Sequence, residues 1–478
     1  MDPRTPVLVG AGQVNHTDGD APSPVSVLAD AVRRAVADTA GANVLRAVDS
    51  VRVVQSLSLR HGDPARAVAR ELGIDPGTTV LTTAGGNMPQ ALVAHTAGEI
   101  LAGRVDLAVC GGVECWRTLN RHRKRDERPR WADGDDTGSP SEVFGPELKM
   151  GNDHEAAIGL RMPVNIYPLF ETALRGRLGS TPDEHLRRVA ELWARFSAVA
   201  ATNPYAAIPR AWTADEIASA GTSNRFISYP YRKVMNSNND VDQAAAVVLC
   251  SAERATALGI PRDRWVFLHG AARAHETPYV SNRFDLSRCP PIAAAGEAAL
   301  KRAGVGVDDI AHVDLYSCFP SAVQIAAEEL GFTLDRQLTV TGGLTFAGGP
   351  WNDYVTHSLA TMIDVLRGDP DAYGLVSANG GILTKHDIGV YSCRPAEGPR
   401  AVDAQRDFPT RDDDPSYTGP ATVESYTVAH DRDDRPSYAF LTALTPAGTR
   451  VVTRTDDPHL AADLEASDPL GQPITLPL

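Results

Sequence analysis

Cysteine is scarce and dispersed in this 478-residue sequence, which holds only Cys110, Cys115, Cys250, Cys289, Cys318 and Cys393. No two stand at zinc-ligand spacing, and several end apolar, strand-like runs. Reduced thiols packed in sheets are therefore expected, in place of a disulfide framework or a metal centre. Long apolar runs are also absent, which excludes a membrane span. The opening stretch, MDPRTPVLVGAGQ, has neither the basic end nor the apolar core of a secretion signal, and a cytoplasmic protein is the expectation. Basic residues are in deficit, 46 against 60 acidic ones, for a formal charge of −14. That deficit argues against nucleic acid as the main partner, because phosphate binding needs clustered Lys and Arg. The local exception, RTLNRHRKRDERPR at residues 117–130, reads either as a solvated loop or as an anion site.

What is present is internal repetition. LTTAGGNMPQALVAHTAGEILAGRVDLAVCGGVE, residues 81–114, reads as strand, Gly turn, helix, strand and second Gly pair. Residues 341–381 repeat that order: Gly348-Gly349 stands for Gly85-Gly86, and Gly380-Gly381 for Gly111-Gly112. Leu359, Met362, Ile363 and Leu366 follow i, i+3, i+4, i+7 spacing, and Leu92, Val93, Ala97, Ile100 and Leu101 mark one face of the first helix. Residues 25–55 and 293–319 match as well, each a helix, a Gly-containing stop and a strand. Two β-α-β-α-β-α-β halves follow, with parallel sheets covered by helices and stacked in five layers.

The length favours several domains. The composition divides the chain into a first half at 1–115 and 234–262, an inserted loop domain at 116–233, and a second half at 263–395. A linker at 396–419 then leads to a small β domain at 420–478, whose short alternating strands suit an all-β barrel of the OB type.

At these motifs the chain resembles the thiolase superfamily, and within it the thiolase-like proteins related to sterol-carrier-protein thiolases. The resemblance is carried by GGNMPQALVAHTAGEILAGRVDLAVCGGVE, PYRKVMNSNNDVDQAAAVVL, YSCF, GGLTFAGGP and SANGG, five blocks in family order within residues 1–395. It implies the duplicated αβαβα thiolase fold, a CoA or acyl-CoA ligand, no tightly bound cofactor and a place in lipid metabolism. It also implies a homodimer through the thiolase core, or a monomer if the appended domain masks the dimer face. The C-terminal segment resembles acyl-CoA-associated OB domains.

Thiolases use a cysteine at a helix start, where the dipole favours the thiolate. By the resemblance, Gly86 occupies the nucleophile position, Gly349 that of the activating histidine, and Ala378 that of the second cysteine. Ping-pong acyl transfer is thereby opposed. The main-chain donors remain, and Gly85, Gly86, Asn87, Gly348, Gly349, Asn379, Gly380 and Gly381 are the candidate oxyanion or ligand-binding residues; glycines that merely allow tight turns are the alternative.

Tyr316 aligns with the fourth family position and is a candidate acid or base for retro-aldol cleavage of a β-hydroxyacyl-CoA. The alternative is a core tyrosine with its hydroxyl satisfied. His357 is the second catalytic candidate, or a helix-capping residue. Cys318 suits packing. Lys385, His386 and Asp387 follow the last Gly pair, and Asn236, Ser237 and Asn238 form Asx-type turns or orient the ligand. Asp240 and Asp242 have no visible acidic partner for a metal. Three functions stay open: an acyl-CoA-binding C–C lyase, a non-catalytic acyl-CoA-binding protein, and an acetyl-CoA C-acetyltransferase with a changed mechanism.

Overall fold

The structure is a computed structural model that describes all residues except 132–137, 222, 397–400 and 478. Parts of the expected loop domain, linker and β domain at those positions lie outside the described residues.

Two sheets that share the order of four strands form the body. In the first the order is Pro6–Asn15, Asp242–Ser251, Leu107–Cys115, Ser50–Val53, Thr78–Thr82 and Glu142–Phe144. In the second it is Phe267–His275, Lys385–Ser392, Tyr373–Gly380 and Ile310–Asp314, with Val402–Asp403 added beside the first of these. The duplication read from the sequence is therefore a duplication of topology.

The sheets are mixed and not wholly parallel. Lys385–Ser392 runs antiparallel to both of its neighbours, as does Asp242–Ser251 in the first sheet. The cause is local, since Tyr373–Gly380 and Lys385–Ser392 are separated only by residues 381–384, and so short a connection makes a hairpin and not a crossover.

Helices Met88–Leu101 and Tyr354–Gly368 pack against one another and against both sheets. Leu92, Val93, Ala97 and Ile100 on the first helix, and Leu359, Met362, Ile363 and Leu366 on the second, are all buried. Gln90 and Thr96, off the first helix's apolar face, are buried too. A helix enclosed on all sides belongs between layers. Helices Pro24–Asp38 and Pro64–Leu72 cover the outer side of the first sheet, and Pro290–Ala303 that of the second. Each central helix starts at a Gly-containing turn near the strand ends, which places those turns at the junction of the halves.

The C-terminal strands Gly419–His430, Pro436–Leu444 and Arg450–Thr455 form an antiparallel sheet, with Pro473–Leu476 on the first of them. Its other neighbour comes from the loop domain: Tyr229 and Ser228 pair with Val428 and Ala429. Among the described residues the strand order is open, so these pairings do not by themselves close a barrel, and a helix, Pro458–Ser467, adds to the strands expected here.

His430 fastens this region. Its Nδ1 lies 3.1 Å from Asp434 Oδ1 and its Nε2 2.7 Å from Glu465 Oε2, while Phe226 N–H donates to Asp434. Burial would depress the imidazole pKa, but the two carboxylates outweigh it and hold the group above its ordinary value. A raised histidine stabilises the fold below its unfolded pKa and loses that contribution as pH rises through the folded value. The wild-type advantage in Tm over His430→Gln should accordingly be full in mildly acidic buffer and shrink as pH is raised past neutrality. A pH-independent difference in thermal melts would contradict the clamp.

Candidate active site

The turn before helix Met88–Leu101 is filled from across the molecule. A β-carbon built on Gly86 would lie 2.4 Å from the Tyr316 hydroxyl oxygen and 2.6 Å from the Asn379 carbonyl oxygen, both far inside contact distance. Tyr316 follows the strand Ile310–Asp314, and Asn379 lies at the end of its neighbour Tyr373–Gly380, so parallel pairing delivers both to the same edge. The phenol stands where a side chain at position 86 would project.

The other glycines follow the same rule. A β-carbon on Gly380 would meet Asn87 Oδ1 at 2.1 Å, one on Gly349 would meet Asn239 Oδ1 at 2.7 Å, and one on Gly348 would meet Gln243 Oε1 at 2.2 Å. Gly349 N–H donates to the Asn238 carbonyl over 2.8 Å, and Ser237 Oγ donates to the Cys318 carbonyl over 3.1 Å. Asn236 Nδ2 donates to the Arg232 carbonyl over 2.7 Å, and its Oδ1 is buried without a partner. Gly381, at φ +72°, turns the hairpin and faces Met150.

Two groups of candidates thus assemble. Gly85, Gly86, Asn87, Tyr316, Ala378, Asn379 and Gly380 surround the phenol. Gly348 and Gly349 lie against Ser237, Asn238 and Asn239. His357 belongs to neither: its Nδ1 meets Gln13 Oε1 at 2.9 Å, its Nε2 lies 3.8 Å from Asp353 Oδ2, and burial alone lowers its pKa to about 3. It is a neutral histidine packed against the first strand.

Tyr316 is 9% exposed, and burial with the nearby Cys318 pushes its phenol well above the ordinary value. It remains protonated and is therefore a hydrogen-bond donor. Tyr167, Tyr231, Tyr354, Tyr391 and Tyr426 are buried with their hydroxyls bonded. The Tyr316 hydroxyl has no hydrogen-bond partner among the described residues, and neither do the N–H groups of Gly86 and Asn87. Asn379 is held by Nδ2 donating to Tyr167 Oη over 2.9 Å, which leaves its Oδ1 buried and unpaired.

Asn87 Nδ2 donates to Asp387 Oδ2 over 2.8 Å, and burial raises that carboxyl to about 6. Lys385 Nζ donates to the Ala84 carbonyl over 2.6 Å, and burial lowers its ammonium pKa. Cys318 is pushed up to about 12 by burial.

Sequence reasoning missed the fillers Asn239 and Tyr167 and one thiol–imidazole pair. Cys289 Sγ lies 3.2 Å from His386 Nε2. Burial pushes that thiol up and lowers His386 to about 3, so both are neutral and the pair is no activated nucleophile. The cavity lined by Tyr316, Ser377, Ala378, Asn379, Leu383 and His386 measures about 10 Å³, room for one water at most. Part of the 117–130 run is engaged, since Arg117 Nη1 donates to the Thr17 carbonyl over 2.9 Å and His122 Nε2 meets Asp20 Oδ2 at 2.9 Å, while Arg128 and Arg130 line a cavity of about 550 Å³ with Asp20, His122 and Glu127. Asp242 is buried and accepts from Thr118, while Asp240 accepts from Asn120.

Sequence comparison matches residues 272–337 to the family described as thiolase C-terminal domain-like, and residues 399–476 to the thiolase-like protein type 1 additional C-terminal domain. The crystal structure of a monomeric SCP2-thiolase-like protein type 1 from Mycobacterium smegmatis is 32% identical. It covers 99% of this chain and 97% of that one, with a TM-score of 0.83. The chain belongs to the SCP2-thiolase-like proteins of type 1. Acetyl-CoA acetyltransferase 1 of Arabidopsis thaliana is 31% identical over 147 residues, a match spanning 33% of that curated relative and 30% of this chain. The Ltp2-ChsH2(DUF35) aldolase (21% identity, TM-score 0.62, 82% of this chain and 99% of that) shares the fold. So does the dimeric peroxisomal thiolase of Saccharomyces cerevisiae (16%, 0.61, 82% and 98%). No helix among the described residues of this SCP2-thiolase-like protein is long and apolar enough to cross a membrane.

Restoring a cysteine at position 86 alone should overpack the turn. Gly86→Cys is expected to lose about 1–3 kcal/mol in urea melts, and Gly86→Cys combined with Tyr316→Ala should recover part of that loss. An additive double-mutant cycle would show that the phenol does not fill the nucleophile's place.

Proposed function

We propose that this protein binds an acyl-CoA thioester against Gly86 and Asn87, and that Tyr316 acts on it as a hydrogen-bond donor in C–C bond cleavage of the retro-aldol type. The observation that carries this reading is the protonated Tyr316 hydroxyl, which has no hydrogen-bond partner among the described residues and stands where a side chain at position 86 would project, beside the buried and unpaired Asn379 Oδ1. A ligand oxygen at that point would accept from the phenol. In the proposed cleavage the β-hydroxyl proton leaves to water. The electron pair of the C–C bond moves into the thioester enolate. The phenol and the free N–H groups of Gly86 and Asn87 hold the oxyanion until the α-carbon takes a proton. No step needs the lost cysteines. The aldolase that shares this fold is a precedent for the scaffold and not for these residues.

The small cavity favours one second reading, a protein that binds acyl-CoA without catalysis. In either case the packing around Tyr316 must open to admit a ligand. Acetyl transfer through an enzyme thioester is disfavoured by Gly86, Gly349 and Ala378.

A β-hydroxyacyl-CoA panel followed by thioester-product analysis tests the lyase. Tyr316→Phe should reduce cleavage about a hundredfold, the usual cost of one oxyanion donor; full activity in that variant would end the lyase reading. Acetoacetyl-CoA with CoA should yield no acetyl-CoA. The absence of CoA binding in calorimetry at millimolar concentration would remove both readings. The chain is also proposed to be a monomer, because strand Glu142–Phe144 covers the edge of Thr78–Thr82; light scattering that returns twice the 51.0 kDa chain mass would contradict this.

A further inference from the structure

The loop at residues 280–284 is gripped from three directions. From the C-terminal sheet, the fully buried Arg450 makes a bidentate pair with Glu424, 2.6 Å at each oxygen, and donates through Nη1 to the carbonyls of Ser281 (3.1 Å) and Arg283. From the linker, Arg411 and Asn282 exchange hydrogen bonds of 2.9 and 3.0 Å, and Arg411 Nη2 donates to the Phe284 carbonyl over 3.1 Å. From the loop domain, Glu155 Oε1 accepts the Ser281 N–H over 2.7 Å.

The same loop carries Arg283, buried over the face of Phe170, whose Nη2 donates to the Ile382 carbonyl and to Thr384 Oγ1 at 3.1 Å. Ile382 and Thr384 form the turn of the hairpin that presents Ala378, Asn379 and Gly380 to Tyr316 and Gly86. No carboxylate pairs with the Arg283 guanidinium among the described residues. A buried cation held by a carbonyl, a hydroxyl and a ring, with no carboxylate, stays in place only while its loop does, because hydration is its favourable alternative.

We infer that the additional C-terminal domain positions the site hairpin, acting through Arg450 on the 280–284 loop and through Arg283 on the 381–384 turn. Arg450 and Arg283 are positioning residues, and the domain works as a brace behind the site and not as a lid over it. Releasing Arg450 frees the carbonyls of Ser281 and Arg283, lets Arg283 withdraw towards water, and leaves the hairpin turn tied by Leu383 N–H to Tyr167 Oη, by the Glu276 N–H to the Thr384 carbonyl and by the weak Cys289 thiol contact to the Leu383 carbonyl. The inference rests on the Tyr316 reading only for what the hairpin serves; the brace itself is measured without ligand.

Hydrogen–deuterium exchange of the full chain tests it, comparing wild type with Arg450→Met, the milder Glu424→Gln and, as control, Arg435→Ala at an exposed turn. Peptides spanning 377–388 should exchange about tenfold faster in Arg450→Met and less so in Glu424→Gln, with strand 242–251 unchanged in both. Cys289, whose Sγ lies 3.7 Å from the Leu383 carbonyl, should alkylate faster in the same order while Cys250 does not. Exchange that rises only within 419–476, or uniformly over the chain, would overturn the brace. Should Arg450→Met fail to fold, Glu424→Gln decides by the same criterion. A chain that cleaves no thioester yet shows the selective loosening would sink the proposed chemistry and leave the brace standing.

Discussion

The contact between the Tyr316 phenol and the backbone at Gly86 organises the site. Two groups cannot share one volume, so a tyrosine reaching into the first turn of a central helix forbids any side chain there. The same exclusion recurs at Gly380 under Asn87, at Gly349 under Asn239 and at Gly348 under Gln243. The glycines are small because other residues occupy their space, and close packing makes that dependence strict. A glycine at 86 and a phenol at 316 are therefore one structural arrangement. Because burial keeps the phenol protonated, the group that fills the turn is a hydrogen-bond donor.

Much of the body was legible in the sequence because its signals are local. The Gly pairs, the helical spacing of Leu359 to Leu366 and the echo between residues 81–114 and 341–381 all lie within one supersecondary unit, and the two sheets share the order of four strands. The mixed strand direction was misread because alternation of strands and helices suggests crossovers, whereas residues 381–384 are too few for one. The site was half legible. Small residues at 86, 349 and 378 are a property of single positions, but what packs beside them is not: Tyr316 lies 230 residues from Gly86, Tyr167 comes from helix Pro163–Leu178, and Asn239 carries no mark in the run NSNND. His357 looked catalytic on its helix and is neutral beside Gln13. Residues 117–130 read as a solvated loop or an anion site; Arg117 is bound to carbonyls of the first sheet's loop, while Arg128 and Arg130 line a cavity. Sequence displays charge but not its partners.

The inserted segment, the second half and the C-terminal domain are interlocked. Arg450, Arg411 and Glu155 come from three regions that composition separates, and they converge on five residues of a fourth. The boundary drawn at the linker marks a change in composition without marking a mechanical joint, since Val402 and Asp403 within it already pair with the second sheet.

The hairpin Phe226–Arg232 has a further consequence for synthesis. Its partner strand, at Val428 and Ala429, leaves the ribosome about 200 residues later, and at typical elongation rates that is roughly 10–40 s of exposure for an unpaired edge. The inserted segment consequently reaches its final form only when the strand at Val428 and Ala429 returns to it, so a premature stop ahead of that strand damages a region completed, in sequence terms, long before.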